Sequence, residues 1–244
     1  MEKAINSVPV PVDTKELKRA ISRVLPCVSR DDYRLIFQYV LFESKNGLLT
    51  LVAADGFRMA YATLKVALPD GEWVVHHTDV RELRTLLKIG QKADLRINQG
   101  ELVVDIKGTT LFLTRGNELK YVNWRAYLPA SFGTDGTEII FSTQAMKKAL
   151  KEIRQKYPWH VKLEVAEGKI KLRCKNEKGD FEEAVIPADV KGSPIKIALD
   201  GVYLRQMVNA FSKEVLLKID HPYHPALFQK DNASWVVMSA YVDW

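Results

Sequence analysis

The residues with the greatest capacity for chemistry are five histidines and two cysteines. His221 and His224 have an HxxH spacing, but each is followed directly by a proline, which favours a loop over a helix that would face both side chains toward one metal ion. Cys27 and Cys174 stand far apart without a CxxC partner, which favours two buried free thiols over a zinc site or a disulfide framework. We therefore expect neither a metal nor a cofactor.

Signatures of catalysis are also missing. The sequence contains no GxSxG, Walker A, HExxH or GxGxxG pattern. Asp55-Gly56 is typical of a hairpin turn and Asp200-Gly201 of a helix start, so neither resembles half of a catalytic pair. No run of eighteen apolar residues suggests a membrane span, and no apolar segment near the N-terminus suggests a signal peptide. We expect a cytoplasmic protein that is not an enzyme and does not contact a membrane.

The remaining chemistry is electrostatic, because a net charge of +6 favours a polyanion such as nucleic acid. Basic residues recur on one side of three predicted amphipathic helices, at 15–28, 79–89 and 143–157. A fourth helix, predicted near 202–211, is less basic. The basic residues of the first three are Lys15, Lys18, Arg19 and Arg23, then Arg81, Arg84 and Lys88, then Lys147, Lys148, Lys151 and Arg154. The alternative is that these are only solvated helix faces.

The elements that position these residues follow a repeated order. Strand-like runs rich in β-branched residues lie between the helices, so each half reads as strand, helix, several strands, helix, several strands. Periodicity is lost between Lys120 and Thr137. We predict an α+β protein with an internal duplication and two domains, 1–122 and 123–244.

Three motifs resemble the bacterial DNA polymerase III beta sliding clamp family. RLIFQYVLFESKNGLLTLVAADGFRMA at 34–60 resembles that family's second domain, NWRAYLP at 123–129 its linker into the third domain, and SWVVMSAY at 234–241 its terminal segment. The resemblance implies two tandem clamp domains, each with antiparallel sheets outside and two helices inside. It also implies a sliding clamp that encircles duplex DNA and raises the processivity of a DNA polymerase.

The family has three domains per chain, and this sequence matches the second and third from its own methionine. The first domain is therefore expected to be absent. A six-domain ring would then need a homotrimer, closed by head-to-tail contacts. The partners that the resemblance implies are double-stranded DNA, a DNA polymerase, other clamp-binding proteins and a clamp loader.

The resemblance also implies two surfaces. The helix stripes named above, with Arg34 in a neighbouring loop, would face DNA, although His76, His77 and Thr78 stand where the family tends to carry basic residues. A cleft beside the linker would bind client peptides through Phe37, Ala54, Gly56, Phe57, Arg58, Met59, Val122, Ala126, Tyr127, Pro225, Val236, Val237, Met238, Ser239, Ala240 and Tyr241. The alternative for Phe37, Val236 and Val237 is ordinary strand core.

Several cleft positions depart from the family. Phe57 replaces the usual histidine, Ala126 an arginine and Ser239 a proline, so the peptide preference is expected to differ. Two other functions stay open: a clamp-like adaptor or competitor that binds client peptides without closing a ring, and an enzyme or general nucleic-acid binder that has inherited the fold.

Overall fold

The structure is a computed structural model that describes residues 6–113, 119–128, 136–153 and 159–243. The chain divides into two compact units, Met1–Arg125 and Ala126–Trp244. The division lies inside the segment where the sequence loses its periodicity. Our predicted boundary, after residue 122, stands three residues earlier than this division.

The first unit contains eight strands and two α-helices in its described residues. In chain order these are β1 (Val10–Asp13), α1 (Thr14–Val24), β2 (Tyr39–Lys45), β3 (Leu48–Ala54), β4 (Arg58–Lys65), β5 (Gly71–His76), α2 (His77–Leu86), β6 (Lys92–Asn98), β7 (Glu101–Ile106) and β8 (Thr109–Phe112). Short 3-10 turns occur at Leu25–Cys27, Leu35–Gln38 and Trp124–Tyr127, the last of which runs past the unit boundary. The strands pair antiparallel in the orders β1-β6-β7-β8 and β4-β3-β2-β5.

The second unit repeats this element order. It contains β9 (Thr137–Ser142), α3 (Thr143–Glu152), β10 (His160–Ala166), β11 (Lys169–Lys175), β12 (Phe181–Lys191), β13 (Ile195–Asp200), α4 (Gly201–Ala210), β14 (Glu214–Ile219), β15 (Ala226–Lys230) and β16 (Ala233–Val237). Its strands are also antiparallel, in the order β13-β10-β11-β12-β9-β14-β15-β16. The long strand β12 joins the strands β13-β10-β11 to the strands β9-β14-β15-β16. Its residues Phe181–Pro187 pair with β11, and Ala188–Lys191 pair with β9.

Each unit is itself made of two β-α-β-β-β segments that exchange their first strands. In the first unit β1 pairs with β6, which belongs to the later segment, while β5 pairs with β2 of the earlier one. The second unit does the same through β9 with β14 and β13 with β10. The predicted α+β class and internal duplication are therefore confirmed. The sequence pattern indicated a repeat of two halves, and the structure shows a further repeat of two segments within each half.

The helices begin where side chains satisfy their first backbone N–H groups. Asp13 accepts from the N–H groups of Lys15 at 2.8 Å and Glu16 at 3.1 Å. Asp200 caps α4 by accepting from Val202 at 2.7 Å and Tyr203 at 3.1 Å. These local bonds fix the helix starts before any packing is considered.

Apolar faces of the helices form the core with the strands. α1 packs against α2 and against β4 in the first unit, and α3 packs against α4 in the second. The apolar side chains on these faces include Leu17, Ile21, Leu83, Leu87 and Met207, which are all fully buried. Both cysteines are free and buried, as expected. No helix within the described ranges is long and apolar enough to cross a membrane.

Candidate functional site

On α1, two of the four predicted DNA-facing side chains are exposed, Lys15 and Arg19. Lys18 is half-buried, and its Nζ donates to the backbone oxygen of Leu87 at 2.7 Å, just past the end of α2. Arg23 is only 2% exposed. Our placement of Arg23 on the solvent side was wrong, because the buried face of α1 extends to position 23, beside Ala20 and Val24.

On α2, the predicted basic stripe is present but partly covered. Arg81 and Arg84 are half-buried, while Lys88 is exposed and lies beyond the end of the helix at Leu86. Burial lowers the pKa of Arg81, and the neighbouring charges of Arg30 and Arg84 lower it further. Cations are therefore crowded on this side of the first unit.

On α3, Lys148 and Lys151 are exposed and Lys147 is half-buried. The helix ends at Glu152, whereas the sequence pattern extended it to 157, and Arg154 lies outside the described residues. The fourth helix offers Arg205, whose guanidinium lies 5.8 Å from the ring centre of Trp159.

Arg34 is held by the turn between β3 and β4. Its Nη1 donates to the backbone oxygen of Asp55 at 2.9 Å, and its guanidinium lies 4.9 Å from the ring centre of Phe57. Gly56 has φ +93°, and a Cβ at Gly56 would lie 2.5 Å from that same Nη1. The glycine therefore serves both the turn and the close approach of the arginine. The Nε of the same guanidinium lies 3.7 Å from Asp31 Oδ2, so the turn and this carboxylate together hold the arginine in place.

The same turn is braced from inside by Arg58. Its Nε lies 2.9 Å from Asp55 Oδ2, and its Nη2 donates to the backbone oxygen of Pro26 at 2.6 Å. Asp55 Oδ1 also accepts from the N–H groups of Phe57 and Arg58, as a hairpin turn requires. Arg58 is only 8% exposed, so its expected role in contacting a peptide is corrected to a structural one. Ala54 and Met59 are buried beside it.

The accessible residues of the first unit near this turn are largely apolar. Phe57 is 52% exposed, Gly56 is exposed, and Phe37 and Val122 are half-buried. Arg125 of the NWRAYLP motif is held by an ion pair. Its two terminal nitrogens donate to the Glu43 carboxylate at 2.7 and 2.6 Å. That hydrogen-bonded pair raises the pKa of Arg125. Arg125 therefore has a structural role. The resemblance to the family's linker did not distinguish such structural residues from residues that bind a peptide.

The predicted peptide residues of the second unit fall into two groups. Val236 and Val237 are buried in β16, so for these two the strand-core alternative is the correct one. The accessible residues of the set are Ala126, Tyr127, Pro225, Met238, Ser239, Ala240 and Tyr241, each exposed or half-buried. A backbone bond from Ala240 N to Ala198 O at 2.7 Å secures the segment after β16.

Sequence reasoning missed Tyr223, which stacks on Tyr241 with ring centres 6.3 Å apart. Both rings are largely exposed, so together they extend the accessible aromatic surface of the second unit. The signal in the sequence was the HPYHP stretch at 221–225, in which Tyr223 lies between the two histidines that were considered as metal ligands. Across the described ranges, no group of three or more His, Cys, Asp or Glu side chains could hold a metal ion.

Comparison with known proteins gives one consistent relationship. Residues 11–115 match the family model of the DNA polymerase III beta subunit, central domain. A beta sliding clamp from Haemophilus influenzae is 24% identical over 200 residues, covering 80% of this chain and 54% of that protein. One from Pseudomonas putida is 23% identical over 249 residues, covering 98% of this chain and 67% of that protein.

Solved structures give the same fold. The DNA polymerase sliding clamp from Pseudomonas aeruginosa superposes with a TM-score of 0.88 at 19% identity, over 99% of this chain and 68% of that one. The DNA polymerase III beta subunit from Thermotoga maritima gives a TM-score of 0.85 at 17% identity, over 99% and 68%. The chain thus spans between about half and two-thirds of the relatives it matches.

Proposed function

We propose, from the premise that this chain belongs to the beta sliding clamp family of DNA polymerase III, that it is a sliding clamp that encircles duplex DNA. In this function it acts in the cytoplasm and performs no chemistry itself. It tethers a DNA polymerase and other clients to DNA, and a clamp loader opens it. The observation that carries the proposal is the recurrence of accessible basic side chains on three helices of a clamp fold.

Sliding requires attraction to phosphates without readout of base edges. Lysines and arginines on helices suit this, because they neutralise the backbone of any sequence and release its counterions. The side chains that we assign to this role are Lys15, Lys18, Arg19, Arg34, Arg81, Arg84, Lys88, Lys147, Lys148 and Lys151. Arg154 belongs to the proposal on sequence grounds.

Client binding is proposed for the accessible apolar residues. Phe57 in the first unit, and Tyr127, Met238 and Tyr241 in the second, offer large side chains to an apolar anchor of a short peptide. Methionine adapts to varied ligands, which suits several clients.

Ring closure is proposed through three copies of this chain, which together supply six domains. Each unit presents a strand edge that is unpaired among the described residues: β8 in the first, and Phe181–Pro187 of β12 in the second. Phe112, Phe181 and Val185 on these edges are exposed and apolar. Head-to-tail pairing of β8 with β12 of the next copy would cover them.

The test replaces Lys147, Lys148 and Lys151 together by alanine. A matched control replaces Lys169, Lys175 and Lys178, which are exposed, lie in the same unit and carry the same charge, but stand on or beside β11. Retention on closed circular duplex DNA, measured against salt, should fall for the helix variant and stay near wild type for the control. The slope of log affinity against log salt should become shallower by about 0.9 for each phosphate that the helix variant no longer neutralises.

Equal retention by the two variants would contradict the proposal. A chain that binds client peptides but never DNA would instead favour the adaptor. Peptide binding should be unchanged in both lysine variants, because neither variant substitutes any of the accessible apolar residues.

A further inference from the structure

Two adjacent histidines lie at the start of α2, where His76 is the cap and His77 is the first residue of the helix. The rings of His76 and His77 have centres 4.4 Å apart, and the Tyr39 ring meets His76 edge-on at 5.1 Å. Both imidazoles are half-buried, so each is fixed in place while part of it stays accessible.

Hydrogen bonds assign the nitrogens of His77. Its Nδ1 lies 3.0 Å from the backbone oxygen of Gln38, and since a carbonyl can only accept, Nδ1 carries a proton and donates it. The nitrogen that gains or loses a proton when His77 titrates is therefore Nε2. His76 Nδ1 lies 2.7 Å from Thr78 Oγ1, which can donate to it or accept from it.

The charges that act on His77 are cationic. Burial lowers its pKa most; the bond to Gln38 opposes this, and Arg81, His76 and Arg30 lower it further. Two carboxylates of the adjoining segments have other partners: Asp79 accepts from Thr78 Oγ1 at 3.3 Å, and Asp32 accepts from Gln38 Nε2 at 3.0 Å. The charged groups that lower the pKa of His77 are thus all cationic.

We propose that Arg30, His76, His77 and Arg81, together the histidine-arginine cluster, bind a phosphodiester of duplex DNA and that His77 takes up a proton when they do. This rests on the proposed clamp function and adds to it three residues, Arg30, His76 and His77, that the helix stripes did not include. A phosphate among these groups offsets the mutual repulsion of the cations and accepts a hydrogen bond from Nε2–H.

The sign of the pH dependence follows from linkage. In free protein the lowered pKa of His77 stabilises the fold above the ordinary histidine pKa, and this contribution is lost as pH falls through the lowered value. Bound phosphate raises the pKa of His77, so the complex with DNA holds more protons than the free protein does. DNA affinity should therefore rise as pH falls between the bound and free pKa values.

The test measures duplex affinity by fluorescence anisotropy at constant ionic strength, at about pH 6 and about pH 8, either side of the ordinary histidine pKa. Wild type should bind several-fold tighter at the lower pH, and His77→Gln should lose most of that difference. The control, His221→Gln, changes an exposed histidine of the second unit and should keep it. Arg30→Gln should weaken binding at both pH values.

Nuclear magnetic resonance titration of the His77 ring adds a second readout. Duplex DNA should raise its pKa, whereas inorganic phosphate at equal phosphate concentration should not. An equal rise with inorganic phosphate would overturn the assignment to DNA. Duplex binding whose pH dependence survives His77→Gln would overturn the cluster alone, while no duplex binding at any pH would overturn the clamp function with it.

Discussion

At the residue scale, the pair of Asp55 and Arg58 governs the turn that displays Phe57. The side chains are 11% and 6% exposed, and the guanidinium also donates to Pro26 O, in the 3-10 turn after α1. The arginine therefore joins the β3–β4 hairpin to the end of the first helix. Loss of one partner of such a pair leaves the other buried without compensation.

We predict that Arg58→Ala lowers the free energy of unfolding by about 3–5 kcal/mol. Arg96→Ala is the control, because its ion pair with Asp105, at 2.7 Å, is partly exposed and should contribute no more than about 1 kcal/mol. Urea denaturation measures both. Equal losses in the two variants would contradict the role given to Arg58.

Arg23 and Arg58 show where sequence reasoning stops at this scale. The sequence correctly predicted basic residues on the accessible sides of α1, α2 and α3, because helical spacing separates apolar from polar positions. It could not predict that these two arginines are buried. The burial of Arg58 depends on a partner outside its own strand, the backbone oxygen of Pro26, and no local pattern encodes such a partner.

At the element scale, helix starts were predictable and helix ends were less so. Asp200 indicated the start of α4 in the sequence, since an aspartate side chain reaches the next N–H groups without help from the rest of the fold. The start of α2 was missed by two residues, because His76 is an unusual cap. The sequence did not predict which strands pair, since the alternation of apolar and polar residues identifies a strand but not its neighbour.

The start of α4 gives a prediction for an element. Gly201 follows the cap and packs against Trp159, and a Cβ there would lie 2.3 Å from Trp159 Cδ2. We expect Gly201→Ala to destabilise the second unit by about 1–3 kcal/mol, because a close-packed ring cannot yield. Asn209→Ala, on the exposed side of the same helix, should change stability by less than about 0.5 kcal/mol. Thermal unfolding of both variants checks this.

At the scale of the whole molecule, the exposed strand edges predict an assembly. Light scattering across a concentration series should give three times the 27.8 kDa of one chain. A mass of one chain at every concentration would contradict ring closure by these 244 residues.

The edge of β12 can be tested directly. Val185 is 59% exposed and points away from the core side of the strand, so Val185→Asp should leave each chain folded and shift the mass toward one chain. Val8→Asp introduces the same charge at a position 81% exposed and off both edges, and it should leave the threefold mass intact. A threefold mass in Val185→Asp would rule out this edge as the contact.

The exchange of first strands within each unit has a consequence for how the chain folds as it is synthesised. Val10 pairs with Leu95, so β1 stays unpaired beside the ribosome until β6 has emerged, and neither β-α-β-β-β segment can complete its sheets alone. Folding is then delayed by long-range loop closure and proceeds a whole unit at a time. The hydrogen-bonded backbone amides of β1 and β6 should accordingly share one free energy of opening in hydrogen–deuterium exchange, equal to that of the entire unit.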